Sequence, residues 1–128
     1  MTTRPRVLVI DDEAGIRALL QKALASLYDV TVTGEAAEGL HHARWNAPHL
    51  ILLDLRMPEM DGMSVLAKLK SDEHTTAIPV VIVSAKGDTD TLLESQRSGA
   101  VDHLIKPFDL TTLHDVVKRN LLIAGDAS

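Results

Sequence analysis

Apolar residues recur along this chain in two alternating rhythms. Short continuous runs, such as those in 6–10 (RVLVI), 50–53 (LILL) and 80–84 (VVIVS), stand between longer segments with helical spacing. Short apolar runs bounded by turn signals suit strands buried on both faces of a parallel sheet. Residues 29–33 (DVTVT) alternate instead, as a half-buried strand does, and Gly34 breaks them. A short fifth strand is expected at 101–105, ended by Lys106-Pro107. Between these runs lie five predicted helices. The first covers 14–27, with Ile16, Leu19, Leu20, Ala23, Leu24 and Leu27 on one stripe and Asp12 or Glu13 as its cap. The second covers 35–46 and stops at Pro48. The third covers 62–71, with Val65, Leu66 and Leu69 inward, and is preceded by a loop containing Pro58 and a turn dipeptide, Asp61-Gly62. A polar loop at 72–79 leads to the fourth strand. The fourth helix covers 89–98, with Gly99 as its C′ glycine, and the fifth covers 111–123.

Strands and helices in strict alternation predict an α/β fold, a parallel sheet covered on both faces. The expected architecture is a flavodoxin-like, doubly wound (βα)5 sheet. Its strand order, 2-1-3-4-5, is borrowed from that class and not read from spacing. The domain is expected to span 1–124, with 125–128 a tail or the start of a linker.

Composition narrows the picture. The 128 residues suit one domain, and a 2% aromatic share makes its core mainly Leu, Val, Ile and Ala. A net charge of −5 argues against a nucleic-acid footprint. The absence of Cys removes disulfides, thiolate metal sites and a cysteine nucleophile. MTTRPR before four apolar residues is too short for a signal peptide, and no later run could span a bilayer, so a cytoplasmic setting is expected.

In an open α/β sheet, ligands sit outside the carboxyl ends of the strands, at the switch point. There the first strand ends at Asp11-Asp12, the third at Asp54, the fourth at Ser84 and the fifth at Lys106. Taken singly, each has an ordinary explanation. Asp11 and Asp12 suit helix caps, Ser84 a turn, and Lys106 a solvated surface. Gathered on one rim, three carboxylates repel one another and favour a cation. An all-oxygen site of this kind suits Mg²⁺ or Mn²⁺. Asp54 would be the nucleophile for a phosphoryl group, with Lys106 and Ser84 meeting the phosphoryl oxygens. The six His residues are scattered, and Trp45 and Phe108 are expected to be packing residues.

The pieces VLVIDDE, LILLDLRMPEMDG, VVIVSAK and GAVDHLIKPF, in that order, resemble a two-component response-regulator receiver domain. The resemblance runs from about residue 6 to 123 and is specific because four strand-end motifs coincide. It implies transfer of a phosphoryl group to Asp54 from a phosphohistidine on a sensor histidine kinase or a histidine phosphotransfer protein. It implies metal ligation by Asp12, Asp54 and the backbone carbonyl of Arg56, with Asp11 acting through water. It also implies a cis Lys106-Pro107 bond and a switch of the face made by helix four, strand five and helix five, driven by Ser84. Arg56 and Lys86 each lie two residues beyond a site residue and are expected to tune the acyl-phosphate lifetime.

One position departs from the pattern. Receivers usually carry Tyr or Phe three residues before the Lys, whereas this chain has His103. His103 is either the relay to the output face or a solvated residue on an edge strand; an imidazole, unlike those rings, can carry charge.

Two other classes are weaker. A haloacid-dehalogenase-like Mg²⁺-dependent phosphatase would need a second Asp where Arg56 stands. A flavodoxin-like cofactor binder would need a phosphate-cradling loop where DDEAG stands. A pseudo-receiver would lack an acid or the Lys, and none is missing. The output, whether a downstream partner or an output domain, is open. So is the choice between a monomer and a phosphorylation-dependent homodimer.

Overall fold

A computed structural model describes residues 4–57 and 61–126. Five strands and five helices alternate: β1 Arg6–Ile10, α1 Ala14–Leu24, β2 Asp29–Thr33, α2 Ala36–Asn46, β3 Leu50–Asp54, α3 Gly62–Ser71, β4 Val80–Ala85, α4 Thr89–Arg97, β5 Asp102–Lys106 and α5 Leu110–Asp126. All pairings are parallel, in the order β2-β1-β3-β4-β5, as expected.

The sheet separates two apolar layers because successive side chains on a strand point to opposite faces. Leu8, Ile10, Ile51, Leu53 and Ile82 pack against α2 and α3 through Ala43, Val65, Leu66 and Leu69. Val7, Val9, Leu50, Leu52, Val81 and Leu104 pack against α1 and α5 through Leu20, Leu24, Leu113, Val116 and Val117. Every residue of β3 is buried, including Asp54, while β2 alternates as its sequence suggests. Among the described residues, no helix is long and apolar enough to cross a membrane.

Several boundaries differ from the sequence reading. Helix α1 stops at Leu24 because the turn that follows returns Leu27 N–H and Tyr28 N–H to the Leu24 carbonyl, which leaves Leu27 exposed. Neither Asp12 nor Glu13 caps it through a side chain; the local bond is Asp11 Oδ1 accepting from Glu13 N–H at 2.9 Å. Strand β5 begins one residue late and includes Lys106. Helix α5 starts under Asp109, whose Oδ1 accepts from Thr112 N–H at 2.7 Å, and continues to Asp126, into the expected tail. Trp45 is 68% exposed, not packed, with the Arg44 guanidinium 5.5 Å from its ring centroid. Phe108 does pack against the α1/α5 layer. The expected Pro58 loop lies outside the described residues.

One partly exposed network at the sheet edge ties α5 to β5. The Asp102 carboxylate accepts from Arg119 Nε at 2.7 Å, Asn120 Nδ2 at 2.9 Å and its neighbour His103 N–H at 2.9 Å. Burial pushes the Asp102 carboxyl up, but the Asn120, His103 and Arg119 donors outweigh it and hold it below the usual value. A depressed carboxyl adds stability above its unfolded pKa and loses it as pH falls through the folded value. Asp102→Ala is therefore expected to cost about 1–2 kcal/mol at pH 7, with a smaller deficit near pH 3. Urea unfolding at both pH values checks this, and an equal deficit at both would assign the loss to packing alone.

Candidate functional site

The carboxyl ends of β1, β3, β4 and β5 meet at one rim because their registers align there. Ile10 pairs with Leu53, Asp54 with Val83, and Ala85 with Lys106. Asp11 and Asp54 are 1% and 4% exposed, whereas Asp12 faces solvent. Carboxylate oxygens from Asp11, Asp12 and Asp54 all lie within 4.8 Å of one another. The sequence reading put these three together, and the structure does the same.

Lys106 supplies the opposing charge. Its Nζ lies 2.9 Å from Glu13 Oε1, 3.3 Å from Asp11 Oδ2 and 3.8 Å from Asp54 Oδ2. Burial alone would lower its pKa, but the Glu13 bond and the Asp11 and Asp54 charges raise it, so Lys106 is firmly cationic. The Lys106-Pro107 peptide is cis, as expected.

Asp54 carries the largest perturbation. Burial raises its carboxyl most, Asp11 and Asp12 raise it as well, and the Arg56 N–H bond and Lys106 lower it; the net value is about 7. Arg56 N–H donates to Asp54 Oδ1 at 2.9 Å, which orients the carboxylate from the loop that follows it. Near neutral pH this group is poised between protonation states, a common property of reactive side chains.

Among the described residues, two buried oxygens at the rim have no hydrogen-bond partner: Asp11 Oδ2, which has only the ion pair with Lys106 at 3.3 Å, and Ser84 Oγ. Buried polar atoms are normally satisfied. An all-oxygen acidic cluster with an unsatisfied carboxylate oxygen fits a hard divalent cation, and an unsatisfied hydroxyl beside it fits an anionic oxygen.

The remaining candidates are placed differently. The Arg56 side chain leaves the rim and pairs with Asp88, at the start of α4. Lys86 is exposed beyond β4. His103 pairs in register with Ile82, on the same sheet face as Ser84, but its ring is exposed. Three contributors escaped the sequence reading: Glu13 as partner to Lys106, Asp88 as partner to Arg56, and Arg17, whose Nη1 donates to the Asp11 carbonyl at 2.8 Å. Only the third acid in DDE offered a sequence signal for any of them.

The model of the response regulator receiver domain matches residues 7–118. The chain belongs to this family. Receiver domains are signalling phosphoacceptors of two-component systems. The chain is 38% identical over 122 residues to the regulatory protein AtoC of Escherichia coli, covering 94% of this chain and 26% of that protein. It is 34% identical over 117 residues to sporulation initiation phosphotransferase F of Bacillus subtilis, covering 91% and 93%. Among solved structures it is similar to the signal receiver domain of a Luxo repressor protein from Vibrio parahaemolyticus. That match has a TM-score of 0.88 and 28% identity over 95% of this chain and 93% of that one. The chain spans 26% of AtoC and 54% of the transcriptional regulatory protein PrrA of Mycobacterium bovis, to which it is 37% identical.

Proposed function

We propose that this receiver takes a phosphoryl group onto Asp54 from a phosphohistidine of a sensor histidine kinase or a histidine phosphotransfer protein, in the cytoplasm. The observation that carries the reading is the buried Asp54 carboxylate at a strand end, with Lys106 Nζ 3.8 Å away and the Asp11 and Asp12 carboxylates within 4.8 Å. A carboxylate oxygen of Asp54 attacks phosphorus. A P–O bond forms, the P–N bond breaks, and the imidazole nitrogen keeps the electron pair. Lys106 holds positive charge against the phosphoryl oxygens, and the Ser84 hydroxyl, otherwise unpartnered, donates to one of them. Asp12, Asp54 and the Arg56 carbonyl, with Asp11 through water, would hold Mg²⁺ or Mn²⁺, which supplies charge neutralisation when bound.

The same reading makes Ser84 and His103 the moving parts of a switch on the α4–β5–α5 face, and Arg56 and Lys86 the residues that tune acyl-phosphate lifetime. That face would address a downstream partner or an attached output domain, as a monomer or through a phosphorylation-dependent homodimer. For His103 the test compares amide shifts on that face with and without a phosphoryl mimic, in wild type and His103→Ala. Equal shifts in both proteins would leave His103 as a surface residue only.

Incubation with acetyl phosphate and Mg²⁺ tests the phosphoacceptor reading. A mass gain of one phosphoryl group, removed by hydroxylamine and abolished by a chelator, is the expected result. No gain under these conditions would overturn it.

A further inference from the structure

The Arg56–Asp88 pair joins two loops that leave neighbouring strands at the rim. Arg56 is tied to the site by its own N–H, which donates to Asp54 Oδ1. Its guanidinium is tied elsewhere, to a carboxylate that is 14% exposed at the N-cap of α4. Asp88 makes no side-chain bond to the first turn of that helix, although an Asp at this position ordinarily does. Its acceptor is directed to Arg56 instead.

This matters because of what else could hold the guanidinium. Arg56 is two residues from Asp54, and its N–H, 2.9 Å from Asp54 Oδ1, puts its backbone beside the Asp11–Asp12–Asp54 cluster. An unrestrained guanidinium there is drawn to anionic oxygen, and its planar fork matches two phosphoryl oxygens at once. Lys106 already serves the other side of Asp54, held by Glu13 and Asp11. The chain thus keeps one cation against the acceptor and the other bound outside it.

Resting on the phosphoacceptor reading above, we infer that Asp88 is a positioning residue that holds the Arg56 guanidinium clear of the phosphoryl group on Asp54 and so keeps the aspartyl phosphate short-lived. In the hydrolysis step a water oxygen attacks phosphorus and the P–O bond to Asp54 breaks. The carboxylate leaves with the electron pair, and the water's proton passes to solvent. A guanidinium laid across the phosphoryl oxygens obstructs the approach of that water. Asp88 removes the obstruction by competing for the same cation.

The test follows loss of the acyl phosphate by intact mass after the phosphodonor is removed. Asp88→Asn and Asp88→Ser both leave a residue that caps helices well, so the start of α4 is preserved and either variant can stand in for the other. Each is expected to slow decay by about two- to fivefold, the bias a partly exposed ion pair exerts on such an equilibrium. Asp88→Glu, which can reach the same guanidinium, is expected to restore rapid decay. In an Arg56→Met background, Asp88→Asn is expected to change nothing further, a non-additivity that a merely structural role for Asp88 would not produce. Decay at the wild-type rate in Asp88→Asn and Asp88→Ser would overturn the inference. So would equal slowing by Asp88→Asn with and without Arg56. Failure of the wild-type protein to label at all would instead overturn the phosphoacceptor reading.

Discussion

Asp54→Asn is expected to lose all labelling by acetyl phosphate and, in metal-free buffer, to unfold at a higher urea concentration than wild type. The first effect follows because an amide is not a nucleophile toward phosphorus, while its volume matches the carboxylate. The second follows from the cost of the charge. Burial together with Asp11 raises the Asp54 carboxyl from 3.8 to about 7. A carboxyl raised in the folded state stabilises the fold only while protonated; that contribution is complete below the unfolded pKa and is lost as pH rises through about 7. Wild-type stability should therefore fall between pH 4 and pH 8, and the advantage of Asp54→Asn should grow over the same window. Solvent at the open rim screens part of the penalty, which leaves a gain on the order of 1–3 kcal/mol at pH 8. Divalent metal should shrink the difference by stabilising wild type. A variant less stable than wild type at pH 8 without metal would contradict the electrostatic account.

Gly62→Ala is the second substitution with a large expected effect. Gly62 opens α3, where alanine is ordinarily the better residue by roughly 1 kcal/mol. Here a Cβ would stand 2.3 Å from Leu55 Cα and 2.6 Å from the Asp54 carbonyl oxygen. Both are main-chain atoms, so no side-chain rotation relieves the contact. Either α3 moves away, breaking the 3.0 Å bond from Gly62 N–H to the Leu55 carbonyl, or the Asp54–Leu55 backbone shifts and takes the acceptor with it. The collision outweighs helix propensity, and a loss of about 3 kcal/mol is expected, together with weaker Mg²⁺ binding. Gly15→Ala is the matched control. Gly15 also lies in a helix, but a Cβ there meets nothing within 4 Å. Urea unfolding should show Gly15→Ala neutral or slightly stabilised, because only the propensity difference remains. Equal effects at the two glycines would mean that the close approach at Gly62 is relieved without cost.

Gly62 owes its identity to tertiary contact and not to local pattern. Asp61-Gly62 was legible as a loop-to-helix signal, yet the reason for glycine is the proximity of β3, which no local pattern encodes. Strand positions were legible because β1, β3 and β4 are buried on both faces and therefore appear as unbroken apolar runs. The rim residues Asp11, Asp54 and Ser84 were legible because each directly follows or ends such a run, and Asp12 and Lys106 because each stands at a strand's carboxyl end before a turn or helix signal. What completes the rim was not. Glu13 and Lys106 are 93 residues apart, and Arg56 and Asp88 are 32 apart. Such pairs depend on loop geometry and side-chain reach, which hydrophobic periodicity does not carry. Trp45 shows the converse limit: an aromatic on a helix was expected to pack, but α2 presents it to solvent beside Arg44. The end of α1 failed for a related reason, since Leu27 continues the apolar stripe after the chain has already turned.

Asp54, among the eighteen acidic residues of the chain, is expected to be the phosphoacceptor. The most direct measurement is to label the protein with acetyl phosphate and Mg²⁺, reduce the acyl phosphate with borohydride, digest the product, and locate the modified residue by peptide mass spectrometry. Reduction converts a phosphorylated Asp to homoserine, and the predicted result is homoserine at position 54 alone. Homoserine at Asp11, Asp12 or any other Asp, or 5-hydroxynorvaline at a Glu, with Asp54 intact, would contradict it.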